Sequence, residues 1–63
     1  MTNLHATEAA FHTIAAVALQ LTVSDKTVRR WIRREELPAH RLGRQWRIAP
    51  KDLEIFLKLR RNG

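Results

Sequence analysis

The spacing of apolar residues along this chain switches from a helical to a strand period and back. Over Thr13–Leu21, Ile14, Val17, Ala18 and Leu21 recur at i, i+3, i+4 and i+7, which predicts a helix with one buried face. Thr22 and Val23 break the pattern, and Ser24 is a good N-cap for a second helix, Asp25–Arg34. In that helix Val28, Trp31 and Ile32 gather on one side. Pro38 disfavours helical geometry at Leu37 and ends the run. From Ala39 to Ile48 the alternation has period 2, which predicts a hairpin with His40 and Leu42 on one face of its first strand and Trp46 and Ile48 on one face of its second. If all four share a buried face, His40 is a half-buried wing residue and Leu42 pairs with Trp46. The loop is then Gly43-Arg44-Gln45, and Arg41 stands opposite Arg47. A two-residue loop would instead set Arg41 against Trp46 and split the apolar set. Pro50 and Asp52 open a last helix, Pro50–Arg61, with Leu53, Phe56 and Leu57 as its core face and Ile55 and Leu59 on the far side.

These elements define a mainly α chain with a small β-hairpin. Two helices joined by the short turn Thr22-Val23-Ser24 make a helix-turn-helix, and the hairpin that follows looks like a wing. The expected architecture is a winged helix-turn-helix of three helices and a two-stranded wing over residues 13–61. Residues 1–12 have little periodicity and are expected to form a mobile N-terminal segment, with 62–63 as a tail.

Composition narrows the chemistry. A chain of 63 residues makes one domain, too small to enclose much of a pocket, and it has no cysteine for a disulfide or a thiolate metal site. A reducing interior fits that usage, and no segment reads as a signal peptide or as the ~20 apolar residues of a membrane span. Residues 26–63 hold all 12 Lys and Arg against four acids, a net +8, whereas residues 1–25 carry −2. Charge so segregated points to a dedicated polyanion-binding surface. On the second helix Lys26, Arg29, Arg30 and Arg33 lie opposite the apolar stripe, and the pairs 26/30, 29/33 and 30/34 repel at i, i+4. Folding alone gives no reason to accept that repulsion, but phosphate binding does.

The segments Val23-Ser24-Asp25-Lys26-Thr27-Val28-Arg29-Arg30-Trp31-Ile32-Arg33 and Leu37-Pro38-Ala39-His40-Arg41-Leu42-Gly43-Arg44-Gln45-Trp46-Arg47-Ile48 carry a family pattern. The chain resembles the excisionase-type, MerR-like winged helix-turn-helix family, which includes recombination directionality factors, over about residues 12–58. The resemblance implies a double-stranded DNA interface made by Ser24, Lys26, Thr27, Arg29, Arg30, Arg33 and Arg34 around the second helix. On the wing it implies Arg41, Gly43, Arg44, Gln45 and Arg47. Lys26 and Arg30 would read bases in the major groove, Arg29, Arg33 and Arg34 would hold phosphates, and the Gly43-Arg44 tip would enter the flanking minor groove. It further implies a protein monomeric alone that assembles head to tail on DNA, with an integrase as a further partner. Ile55 and Leu59 are candidates for the contact between copies. Three departures stand out: Thr22 and Glu35 occupy positions where the family commonly has glycine, and Ala15 and Ala16 replace common acidic residues.

Rival chemistries fare worse. His5, His12 and His40 have no partner at metal-site spacing, so no metal or cofactor is expected. No nucleophile, base and orienter can be assembled, so neither catalysis nor a small-molecule substrate is expected. A basic amphipathic helix can lie on anionic lipid, but the apolar side of this one is needed for the core, which argues against a membrane partner. RNA offers a major groove too deep and narrow for a helix. Within DNA binding, the small size and absence of a sensor domain favour a recombination accessory factor over a transcription regulator. A cytoplasmic, nucleoid-associated location is expected.

Overall fold

The computed structural model describes residues 10–61. His5, most of the expected N-terminal segment and the 62–63 tail lie outside the described residues. The elements run β1 (His12–Thr13), α1 (Ile14–Leu21), α2 (Asp25–Arg33), β2 (His40–Leu42), β3 (Gln45–Ile48) and α3 (Pro50–Arg61). The helices fall where the 3.6-residue stripes put them, with Thr13 as the N-cap of α1 and Arg34 just past the end of α2. This is a winged helix-turn-helix, three helices with a small antiparallel wing.

The core is short and apolar. Val17 and Ala18 from α1, Val28 from α2, Leu37 from the connection, Ile48 from β3, and Leu53 and Phe56 from α3 are buried together. Ile14, Leu21, Trp31, Ile32 and Leu57 pack partly buried around them. The joint between α2 and α3 is aromatic and capped by a cation: Trp31 and Phe56 lie 4.9 Å apart, centroid to centroid, and the Arg60 guanidinium sits over both rings. Arg60 also donates to Glu36 at 2.8 Å, which ties the chain just after α2 to the last helix.

Both helices of the helix-turn-helix end in the same way. The Val23 N–H donates to Ala18 C=O at 2.9 Å and the Thr22 N–H to Leu19 C=O at 3.3 Å. At the end of α2, Glu36 donates to Trp31 at 2.9 Å and Glu35 to Ile32 at 3.0 Å. These are the paired bonds of a Schellman motif, which requires a left-handed residue. Thr22 and Glu35 fill that position, each at φ 59°, a backbone geometry that favours glycine. A side chain costs about 1–2 kcal/mol there, and most for a β-branched residue such as Thr22. Thr22→Gly and Glu35→Gly should each therefore stabilise the domain by about 1 kcal/mol, raising the thermal midpoint by about 4–8 °C. An unchanged or lowered midpoint in a calorimetric melt would mean the backbone relieves the strain elsewhere.

The hairpin corrects the expected register. Leu42 pairs with Gln45, Arg41 with Trp46 and His40 with Arg47, so the loop is the two-residue Gly43-Arg44 rather than Gly43-Arg44-Gln45. Gly43 lies at φ +66° and Arg44 has no positive φ, the pattern of a II′ turn with glycine in its first central position. A three-residue loop would have wanted glycine where Gln45 stands. Turn chemistry therefore outweighs apolar pairing. The four apolar positions divide between the faces: Trp46 and Ile48 lie with Arg41 on one side, His40 and Leu42 with Gln45 and Arg47 on the other. His40 is exposed rather than half-buried, with Phe11 5.5 Å away and its Nε2 3.7 Å from the Asp52 carboxylate. Arg41 and Arg47 do not face each other. The sheet also gains a strand, since β1 pairs with β3 through His12↔Ile48 and Thr13↔Arg47 to give the order β1-β3-β2.

Candidate nucleic-acid interface

The start of α2 is held by its own side chains. The Ser24 Oγ accepts the Thr27 N–H at 3.1 Å, and the two hydroxyls lie 3.0 Å apart. Asp25 in the first turn favours the positive end of the helix dipole. With its apolar stripe turned into the core, α2 must present the opposite arc to solvent, and Lys26, Arg29, Arg30 and Arg33 are all exposed there. Arg34, just beyond the last turn, is exposed as well.

The wing supplies a second set of cations. Arg44 stands exposed at the tip beside Gly43, where an added Cβ would meet no atom within 4 Å, so glycine answers a dihedral demand and not a steric one. Arg41 and Gln45 are exposed and Arg47 is half-buried. The Arg47 guanidinium donates to the Trp46 carbonyl at 3.1 Å, and Arg41 stacks over the Trp46 ring at 5.2 Å.

Two open grooves separate wing from helices. One lies between the C-terminal half of α2 and the hairpin, lined by Arg29, Ile32, Arg33, Glu35, Leu37 and Trp46 among others. The other lies between the start of α1 and the wing, lined by Thr13, Asp25, Arg29, Arg44, Gln45 and Arg47 together with Trp46. Arg29 and Trp46 line both. The fold thus sets Arg29 and Arg33 along one groove and Arg29, Arg44, Gln45 and Arg47 along the other, while Lys26, Arg30, Arg34 and Arg41 line neither.

Most of the unpaired cations belong to the surface of α2 and the wing, with Lys51 on α3 the exception among the described side chains. Among the described residues, the ion pairs are His40–Asp52, Lys58–Glu54 and Arg60–Glu36, and each has its acid or its base on α3. No carboxylate lies within ion-pair distance of Lys26, Arg29, Arg30, Arg33, Arg34, Arg41, Arg44 or Arg47 among those residues. Repulsion left uncompensated over a whole face is what an anion would relieve.

Of the far-side apolar residues, Ile55 is 47% and Leu59 72% exposed. Leu19 on α1, outside the apolar stripe of that helix, is 83% exposed. A face shared by His40, Leu42, Trp46 and Ile48 would bury Trp46, whereas it is 36% exposed and lines both grooves. Its position between Arg41 and Arg47 in sequence was the available signal. No helix among the described residues is long and apolar enough to cross a membrane. A family model described as a helix-turn-helix domain matches residues 13–61. No curated protein and no solved structure matches the chain.

Proposed function

Because the chain belongs to the helix-turn-helix domain family, which includes small excisionase-like DNA-binding proteins, we propose that it is an excisionase. DNA binding itself follows from the family, and the partner is double-stranded DNA. The proposed role is to bind and bend attachment-site DNA so that an integrase excises a mobile element. The observation that carries the DNA-binding part of the reading is the set of unpaired cations on α2 and the wing, and the excisionase part rests on the resemblance of the sequence.

In this reading α2 enters the major groove, where Lys26 and Arg30 meet base edges and Arg29, Arg33 and Arg34 hold phosphates. The Gly43-Arg44 tip enters the flanking minor groove, with Arg41, Gln45 and Arg47 on the backbone beside it. Ser24 and Thr27 act through the cap that fixes the start of α2, their hydroxyls engaged with each other. Ile55 and Leu59 make the contact between adjacent copies, and the protein works in the nucleoid.

The test is a footprinting and mobility titration on the attachment site and on the DNA flanking the gene. An excisionase should protect the attachment site in regular steps as protein is added and should bend it. Ile55→Ser combined with Leu59→Ser should abolish the stepwise growth while leaving single-site affinity unchanged; equal losses of both would remove that pair from the contact. A single short footprint over a promoter would make the protein a small transcription regulator instead.

A further inference from the structure

Trp46 is an anomaly in the wing. Large aromatic side chains of small domains are usually covered, yet this one is 36% exposed in a molecule whose core is only seven residues. Cations outnumber acids around it. Arg41 lies over the ring at 5.2 Å, Arg29 and Arg33 share with it the groove on the α2 side, which Glu35 also lines, and Arg44 and Arg47 share with it the groove on the side of α1, which Asp25 also lines. No carboxylate pairs with any of the five among the described residues. The indole N–H has no hydrogen-bond partner among the described residues either. Tryptophan is a donor only, so this N–H can be satisfied only by an acceptor.

An exposed aromatic ring with an unused donor, set between two grooves in which unpaired cations outnumber acids, is matched to an anion on an apolar carrier. The phosphodiester backbone is such a ligand, with charged oxygens set on apolar sugar edges. We propose that Trp46 is itself a DNA-backbone contact, its indole N–H donating to a phosphate oxygen in the groove it shares with Arg29 while its ring packs against the adjoining deoxyribose. The inference rests on the reading of α2 and the wing as the DNA-binding surface. It adds to that surface a neutral donor that no charge count would find. Arg41, stacked over the ring, holds the indole in place.

Trp46→Phe removes the N–H and keeps an aromatic ring under Arg41. It should leave the thermal midpoint within a few degrees of wild type and weaken DNA binding about tenfold, the loss expected for a hydrogen bond to a charged group. Because no charge is removed, the slope of log K against log salt should not change. The indole N–H resonance of Trp46 should shift on titration with duplex DNA, while that of Trp31, packed between Phe56 and Arg60, serves as the internal reference. Arg30→Ala, at a position that lines neither groove, reports on the underlying surface and should weaken binding on its own. If Arg30→Ala loses affinity while Trp46→Phe keeps it and the Trp46 resonance stays still, the Trp46 contact is overturned and the surface stands. If neither variant loses affinity, or wild type does not bind duplex DNA, both fall together. A Trp46→Phe variant that melts far below wild type can be replaced by the resonance shift in wild-type protein, which decides the question alone.

Discussion

Raising the salt from 50 to 200 mM should weaken DNA binding by roughly three to four orders of magnitude, the expected result if six to eight of the unpaired cations sit on phosphates. Each neutralised phosphate releases condensed counterions, so log K should fall against log salt with a slope of roughly −5 to −7. The expectation rests on which charges are already satisfied within the fold. Lys58 lies 3.7 Å from Glu54 on the same exposed side of α3, and Arg60 is engaged with Glu36 and two aromatic rings. Neither belongs to the face of Lys26, Arg29, Arg30, Arg33, Arg34, Arg41, Arg44 and Arg47, which has no internal carboxylate partner among the described residues. Lys58→Ala should accordingly leave the slope alone, whereas Arg33→Ala should reduce its magnitude by about one. Fluorescence anisotropy with a labelled duplex at several salt concentrations measures both. A wild-type slope near −2 would mean that most of these cations stay in solvent when DNA binds. The surface would then steer association without forming the interface.

How far the surface could be read from sequence depends on which physical term decided each element. The helices were legible because their stripes persist over whole turns and their ends carry chemistry. Ser24 caps α2, and Thr22 and Glu35 adopt the left-handed geometry that their place after each helix demands. The hairpin was not legible to the same depth. Two registers differ by one residue, and the apolar pattern favoured one while the backbone preference of Gly43 favoured the other. The backbone won, because Ile48 alone is enough to anchor β3 in the core and Trp46 can be left at the surface under Arg41. β1 has two residues, too few to show alternation, and its partner strand is distant in sequence. Leu37 belongs to no periodic stripe and still lies fully buried. The cations of α2 were found from spacing because a helix repeats its face. The convergence of Arg29 with Arg44 and Arg47 on one groove needed the register of the wing.

Leu37→Ala should unfold the free protein at room temperature, and DNA should fold it again. Leu37 is wholly buried between α2 and the wing, in a core that holds six other residues and contacts all three helices. Truncating a buried leucine costs about 2–5 kcal/mol through lost transfer energy and the cavity left behind. A domain of 63 residues without a disulfide has a total stability of only about 3–5 kcal/mol, so that cost takes most or all of it. Its position makes the site hard to repack. The Leu37 N–H donates to Trp31 C=O at 3.2 Å, which pins the backbone to the end of α2, and Pro38 follows directly. DNA binds the folded state alone, since only that state gathers the cations of α2 and the wing on one surface. A duplex at a hundred times its dissociation constant therefore returns about 2.7 kcal/mol. Far-UV circular dichroism of the variant should show a loss of helix without DNA and its recovery, in the protein difference spectrum, when duplex is added at low salt. The recovery should vanish at high salt, because the refolding energy comes from the same counterion release that sets the affinity. Cooperative melting of free Leu37→Ala within a few degrees of wild type would show that the core does not hinge on this residue. Loss of helix that DNA does not restore even at low salt would instead mean that the variant's native surface, and not only its stability, is gone.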